Sequence, residues 1–133
     1  MSEGCFARTI TVLPVHDIEI ACEWYAEALG MATAYLHEGD HPDEVTNYAI
    51  LVRDGVAVHL ILDEPAPYGD TWTLAGTGYL YLKVRGVRSV FDSVRSKGIE
   101  TTQDLEVAPW GASGFELRDP SGNLIRVEEE DAG

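Results

Sequence analysis

The chain has 133 residues, enough for one ordinary domain and too few for two with separate cores. Nine Lys and Arg stand against 23 Asp and Glu, a net charge of −14 at pH 7, and so acidic a surface repels phosphate backbones and excludes nucleic acid as a partner. Hydrophobic residues make up 45% of the chain, yet no run approaches the roughly twenty of a membrane span and residues 1–8 carry no export signal, so a cytoplasmic protein with no membrane partner is expected.

In chain order, residues 6–13 read as a first strand, rich in Ile, Val and Thr and ended by Pro14. Asp17 then caps a helix whose apolar positions Ile18, Ala21, Cys22, Tyr25 and Leu29 keep a three-to-four spacing, with Gly30 as its C-terminal cap. Cys5 and Cys22, the only cysteines, are expected as buried free thiols. Strands follow over 31–37, 46–53 and 56–62, the last two joined by the tight-turn pair Asp54-Gly55.

Residues 63–76, with Pro65, Pro67, Gly69 and Gly76, read as a linker. Beyond it come a strand over 78–84, a helix over 87–97, a short strand over 101–105, and a hairpin of 113–118 and 124–128. The acidic run 128–131 is expected as a solvated end.

The second half repeats the first. Val15-His16-Asp17-Ile18 is echoed by Val84-Arg85-Gly86-Val87, 69 residues on, and the turn glycine Gly55 by Gly122, 67 residues on. A period near seventy suits a duplicated unit whose halves complete one another. The fold class is therefore α+β: two tandem βαβββ modules, about 6–62 and 77–129, forming a cupped, mostly antiparallel eight-stranded sheet with the helices on its outer face.

Strand alternation assigns the faces. Val56, Val58, Leu60 and Leu62 turn toward the helices, and Ala57, His59 and Ile61 away from them. Likewise Ile125 and Val127 turn inward, leaving Leu124, Arg126 and Glu128 on the open side, while Tyr79, Tyr81 and Lys83 oppose Leu80, Leu82 and Val84. By the repeat, Ile10, His59, Tyr79 and Arg126 ring the centre of the cup. Glu116 shares the face of Arg126, and an ion pair between them is expected, because a buried guanidinium without a partner is costly. Were Arg126 unpaired, an anionic or carbonyl-bearing ligand would suit it.

The paired modules, ending in Phe115-Glu116-Leu117-Arg118-Asp119-Pro120-Ser121-Gly122-Asn123-Leu124-Ile125, resemble the vicinal-oxygen-chelate superfamily of glyoxalase I, extradiol dioxygenases and bleomycin resistance proteins. Pro109-Trp110-Gly111 shortly before the Asp-Pro-Ser-Gly-Asn turn, Val84-Arg85-Gly86 after an aromatic strand, and the acidic character look most like the bleomycin resistance proteins. Enzymes of the superfamily hold a divalent metal with His, Gln or Glu at the four cup positions. Here those positions hold Ile10, His59, Tyr79 and Arg126, and guanidinium has no lone pair to donate, so the resemblance implies a binder with no metal and no cofactor.

The bleomycin-resistance likeness further implies a homodimer that sequesters a planar antibiotic or other natural product, cationic where charged, in grooves between subunits. It places Trp110 at a groove wall, where an indole face stacks on a flat ring. Trp72 in the linker is either a second wall or a dimer anchor. With Tyr79, Tyr81, His59, Arg126 and Glu116 these make up the candidate ligand site, and no residue is assigned a catalytic role. The acidic loop 37–44 is a flap over the groove. Two other functions compete: a divergent lyase, isomerase or dioxygenase of this fold using His59 or Tyr79 as general acid or base, and a regulatory or assembly module whose cup is filled by its own side chains.

Overall fold

The computed structural model describes residues 4–39, 45–63 and 74–130. Its elements run β1 (Thr11–Val15), α1 (Ile18–Leu29), β2 (Ala32–His37), β3 (Tyr48–Arg53), β4 (Val56–Leu62), β5 (Tyr79–Val84), α2 (Val87–Ser96), β6 (Gln103–Val107), β7 (Ser113–Arg118) and β8 (Leu124–Glu129). This is an α+β fold of two βαβββ modules. The eight strands form two four-stranded mixed sheets, ordered β1-β4-β3-β2 and β5-β8-β7-β6, rather than one continuous hydrogen-bonded sheet. In each, the first strand lies parallel to the last and the other pairings are antiparallel.

The duplication extends to the register. Val12 pairs with His59 in the first sheet and Tyr81 with Arg126 in the second, positions that the repeat makes equivalent. The strand neighbours of His59 and Arg126 are thus Val12 and Tyr81, one pleat along from Ile10 and Tyr79.

Local chemistry sets the helix ends. The Asp17 carboxylate accepts from the backbone N–H of Ile20 at 2.9 Å, and Gly30 closes α1 in the left-handed conformation at φ 64°. The second helix starts differently, at Gly86, without a capping side chain of its own. Glu129 serves instead: its carboxylate accepts from the N–H groups of Gly86 and Val87 at 3.2 and 3.1 Å, where the helix dipole favours negative charge.

Each helix buries one stripe against its sheet. Ile18, Ala21 and Tyr25 of α1 meet Leu13, Leu51 and Leu60, and Val87 and Val94 of α2 join Phe115, Leu117, Ile125 and Val127 in one contiguous core. The turn after β7 then clasps the modules together. Asp119, buried there, accepts from the Tyr25 hydroxyl at 2.7 Å, while Asn123 donates to the Pro14 carbonyl at 2.8 Å and accepts from the Gly78 N–H at 2.7 Å.

Two expectations need correction. The first strand covers Thr11–Val15 and contains Pro14 instead of ending before it. Pro14 is tolerated because β1 pairs only with β4, and the proline backbone faces the edge, where its carbonyl meets Asn123. The first pairing is Thr11 with Val58, the residues before position 9 run past the first residue of β4, and Phe6 is fully exposed. For the same reason Cys5 is an exposed free thiol, not a buried one, and Cys22 is half-buried on the flank of α1.

Candidate ligand site in the cup

On the open face of the second sheet, the residues of β5 and β8 stand in parallel register: Tyr79 beside Leu124, Tyr81 beside Arg126, Lys83 beside Glu128. Antiparallel β7 brings Glu116 beside Arg126 from the other side. Four charged side chains therefore meet on one patch, two of each sign. Arg126 is buried, only 4% of its side chain being exposed. Its Nε donates to Glu128 at 2.8 Å and its Nη1 to Glu116 at 3.2 Å, which leaves Nη2 as its one nitrogen without a partner. Burial works against the guanidinium charge, but the two carboxylates outweigh it and raise its pKa.

Glu128 is the hub of this patch. Its carboxylate is wholly buried, and four donors converge on it: Tyr81 Oη at 2.6 Å, Lys83 Nζ at 2.6 Å, Arg126 Nε at 2.8 Å and Trp110 Nε1 at 3.2 Å. Burial alone would push its pKa up; the hydrogen bonds from Lys83, Tyr81, Arg126 and Trp110 hold it at about 2. Conversely, donation to that carboxylate raises the pKa of the Tyr81 hydroxyl.

The expectation that Glu128 and Glu129 belong to a solvated acidic tail is thus wrong, since β8 continues through Glu129 and both carboxylates are taken up by partners. Alternation had already put Glu128 on the face of Arg126 and Lys83 on that of Tyr81. What no spacing announces is that parallel β5 and β8 set Lys83 directly opposite Glu128.

Above this floor stand the aromatics. Trp110 sits in the turn between β6 and β7, its ring 5.3 Å from the Arg126 guanidinium carbon, and 64% of the residue is exposed. One indole face covers the cation and the remainder is open to solvent, a geometry in which a ring can stack on the outside. Tyr79 and Tyr81 are stacked on one another, ring centroids 6.4 Å apart and planes 12° from parallel, each about half exposed. Trp110, Tyr81, Arg126 and Glu116 are therefore gathered around Glu128, with Tyr79 extending the aromatic surface.

His59 stands on the other sheet and has a partner of its own. Its Nδ1 is 2.6 Å from the Tyr48 hydroxyl, and the two rings meet edge to face at 5.5 Å. Trp72 and loop positions 40–44 lie outside the described residues. His37, at the end of β2, has its Nδ1 3.2 Å from the hydroxyl of Tyr35.

The residues at the four cup positions do not fit a divalent metal. Arg126 brings a fixed cation to the place of a carboxylate, and among the described residues no three His, Cys, Asp or Glu side chains gather about a common point. A concavity of about 450 Å³ opens between the modules, lined by apolar Leu29, Met31 and Val84 and by charged Arg53, Arg85 and Glu130 among others. Unlike the cup, it has no aromatic side chain in its lining among the described residues.

The family model for the Glyoxalase/Bleomycin resistance protein/Dioxygenase superfamily matches residues 9–127. The fold is similar to that of TioX from Micromonospora sp. ML1, at 19% identity and a TM-score of 0.75 over 93% of this chain and 98% of that one. A glyoxalase-related enzyme from Clostridium phytofermentans is as similar, at 18% identity and a TM-score of 0.75 over 98% and 100%. A lactoylglutathione lyase from Agrobacterium tumefaciens follows, at 18% identity and a TM-score of 0.71 over 96% of each chain. No curated protein matches the sequence.

Proposed function

Because this chain belongs to the Glyoxalase/Bleomycin resistance protein/Dioxygenase superfamily, we propose that it is a metal-free binding protein that sequesters a flat natural product, cationic where charged, and so confers resistance to it. In this reading a cytoplasmic homodimer holds one ligand per subunit in a groove walled by Trp110, Tyr79 and Tyr81, with Trp72 as a further wall or dimer anchor. The observation that carries it is the seat of Arg126: a buried cation, paired with two carboxylates, stands where an enzyme of this fold needs a metal ligand, and an open indole covers it. The net charge of −14 supports steering of a cationic ligand from a distance. Half-exposed Val12, Tyr79 and Tyr81 on the open face support a covering subunit.

Tryptophan fluorescence under titration with bleomycin and a panel of planar antibiotics tests this reading. Quenching that saturates at one ligand per subunit, weakening as salt rises, is the expected result. Absence of any response across the panel would remove the idea.

One observation favours a second reading, a proton-transfer enzyme. The short contact between His59 and Tyr48 orients an imidazole on the half-buried face of β4, as a general base requires. Turnover of a carbonyl substrate that is lost in His59→Gln while tryptophan quenching persists would select this reading over sequestration.

A further inference from the structure

Trp110 is carried by a closed turn, in which Ala108 N–H donates to the Ala112 carbonyl at 2.9 Å and Gly111 N–H to the Ala108 carbonyl at 2.8 Å. That turn fixes where the side chain leaves the backbone. It does not fix the plane of an indole that is 64% exposed, and the plane decides whether a flat ring can stack. Among the described residues two contacts hold the ring, both from the floor. The indole N–H reaches Glu128 directly at 3.2 Å, and the indole face rests on Arg126, itself held by Glu128 at 2.8 Å. Both restraints reach Glu128, and the second is shared with Glu116, which accepts from Arg126 Nη1 at 3.2 Å.

We propose that Glu128 is the positioning residue of the Trp110 wall: it sets the plane of the indole over Arg126 and thereby how tightly a flat ligand is held. The residue lies on the open face of β8, beneath its four donors and wholly shielded from solvent, so it acts on a ligand through Trp110 and not by contact. Lys83 and Tyr81, at 2.6 Å each, keep its carboxylate ionised and aimed, which makes the wall rigid before anything binds. The ligand role rests on the sequestration reading; the orientation of Trp110 does not.

Two arms keep these failures apart. In the first, without ligand, near-ultraviolet circular dichroism of wild type minus Trp110→Phe isolates the Trp110 band from those of Trp24 and Trp72. Glu128→Gln should lose that band and make Trp110 more quenchable by acrylamide, and Glu128→Asp, which keeps the charge but draws the carboxylate back, should fall between. A Trp110 band unchanged in both variants overturns the proposal. Because Glu128→Gln disturbs a buried ion network, Glu128→Asp decides the matter if the former does not fold.

In the second arm, bleomycin is the probe. Glu128→Asp should weaken its binding about two- to tenfold, the factor for leaving one side chain to be ordered on binding. The same substitution in the Trp110→Phe background should change nothing. Equal weakening in both backgrounds would mean a general structural role and would overturn the proposal. If wild type binds no bleomycin, the first arm still decides the positioning role.

Discussion

The side-chain amide of Asn123 donates to the backbone carbonyl of Pro14 at 2.8 Å, joining two residues 109 positions apart. Pro14 lies on the edge of the first module and Asn123 in the last turn of the second, so the contact crosses the seam where no strand-to-strand ladder does. The same amide oxygen accepts from Gly78 at 2.7 Å, and the residue is wholly buried. Asn123→Ala leaves the half-buried Gly78 N–H and the buried Pro14 carbonyl without this partner, and should cost about 2–4 kcal/mol, read from urea unfolding. A loss below about 0.5 kcal/mol would show that the clasp does not hold the modules.

Tyr25 meets Asp119 in the same clasp, hydroxyl to carboxylate at 2.7 Å in the buried interior. Burial and the adjacent carboxylate raise the pKa of that hydroxyl far above its ordinary value, so it donates throughout the accessible pH range. Tyr25→Phe keeps the ring and should destabilise by about 1–3 kcal/mol, since Asp119 loses a charge-assisted partner. A double-mutant cycle with Asp119→Asn should show the two losses to be strongly non-additive.

Gly114 owes its identity to crowding. A Cβ at this position would lie 2.8 Å from the Val127 carbonyl oxygen and 2.9 Å from Arg126 Nη2. The backbone oxygen belongs to the adjacent strand and cannot yield, so Gly114→Ala should destabilise by about 1–3 kcal/mol. It should also push the guanidinium toward Trp110, giving a changed tryptophan emission maximum. An unaltered emission spectrum would rule out contact between residue 114 and the floor of the cup.

Acid should weaken the fold through Glu128. Its folded pKa of about 2 lies below the ordinary 4.5, so the unfolded chain binds its proton first. The stabilisation is complete above pH 4.5 or so and is lost as pH falls toward about 2. Urea midpoints measured across this window should therefore decline less steeply in Glu128→Gln than in wild type, once the variant's lower plateau is taken as its reference. Parallel slopes would contradict the assignment.

Chelation tests the absence of a metal that both functional readings assume. If the cup works without a metal, dialysis against EDTA should leave the melting temperature and any ligand-induced quenching unchanged. A fall in either, reversed by one divalent ion per subunit, would refute the metal-free reading.

Much of this protein is legible in its sequence because its signals are local. Asp17 and Gly30 mark the ends of α1 by the same capping chemistry wherever they stand, and strict alternation in Val56–Leu62 and Tyr79–Val84 fixes which side chains face the helices. The duplication is visible as a spacing, and its register, Val12 with His59 and Tyr81 with Arg126, repeats across both modules.

Other features depend on neighbours the sequence does not name. How far β1 can pair toward the N-terminus is bounded by where β4 begins, and the place of Pro14 within the strand depends on an edge left open to Asn123. Glu128 is the sharpest case, for a run of acidic residues at a chain end has the composition of a solvated tail whatever it touches.

The order of residues alone therefore determined the elements, their faces and the doubled module, each governed by interactions among positions a few residues apart. Only the tertiary structure decided that Glu128 is a buried hub, because its four donors come from β5, from β8 and from the turn before β7, brought together by strand pairing across up to 47 positions of chain.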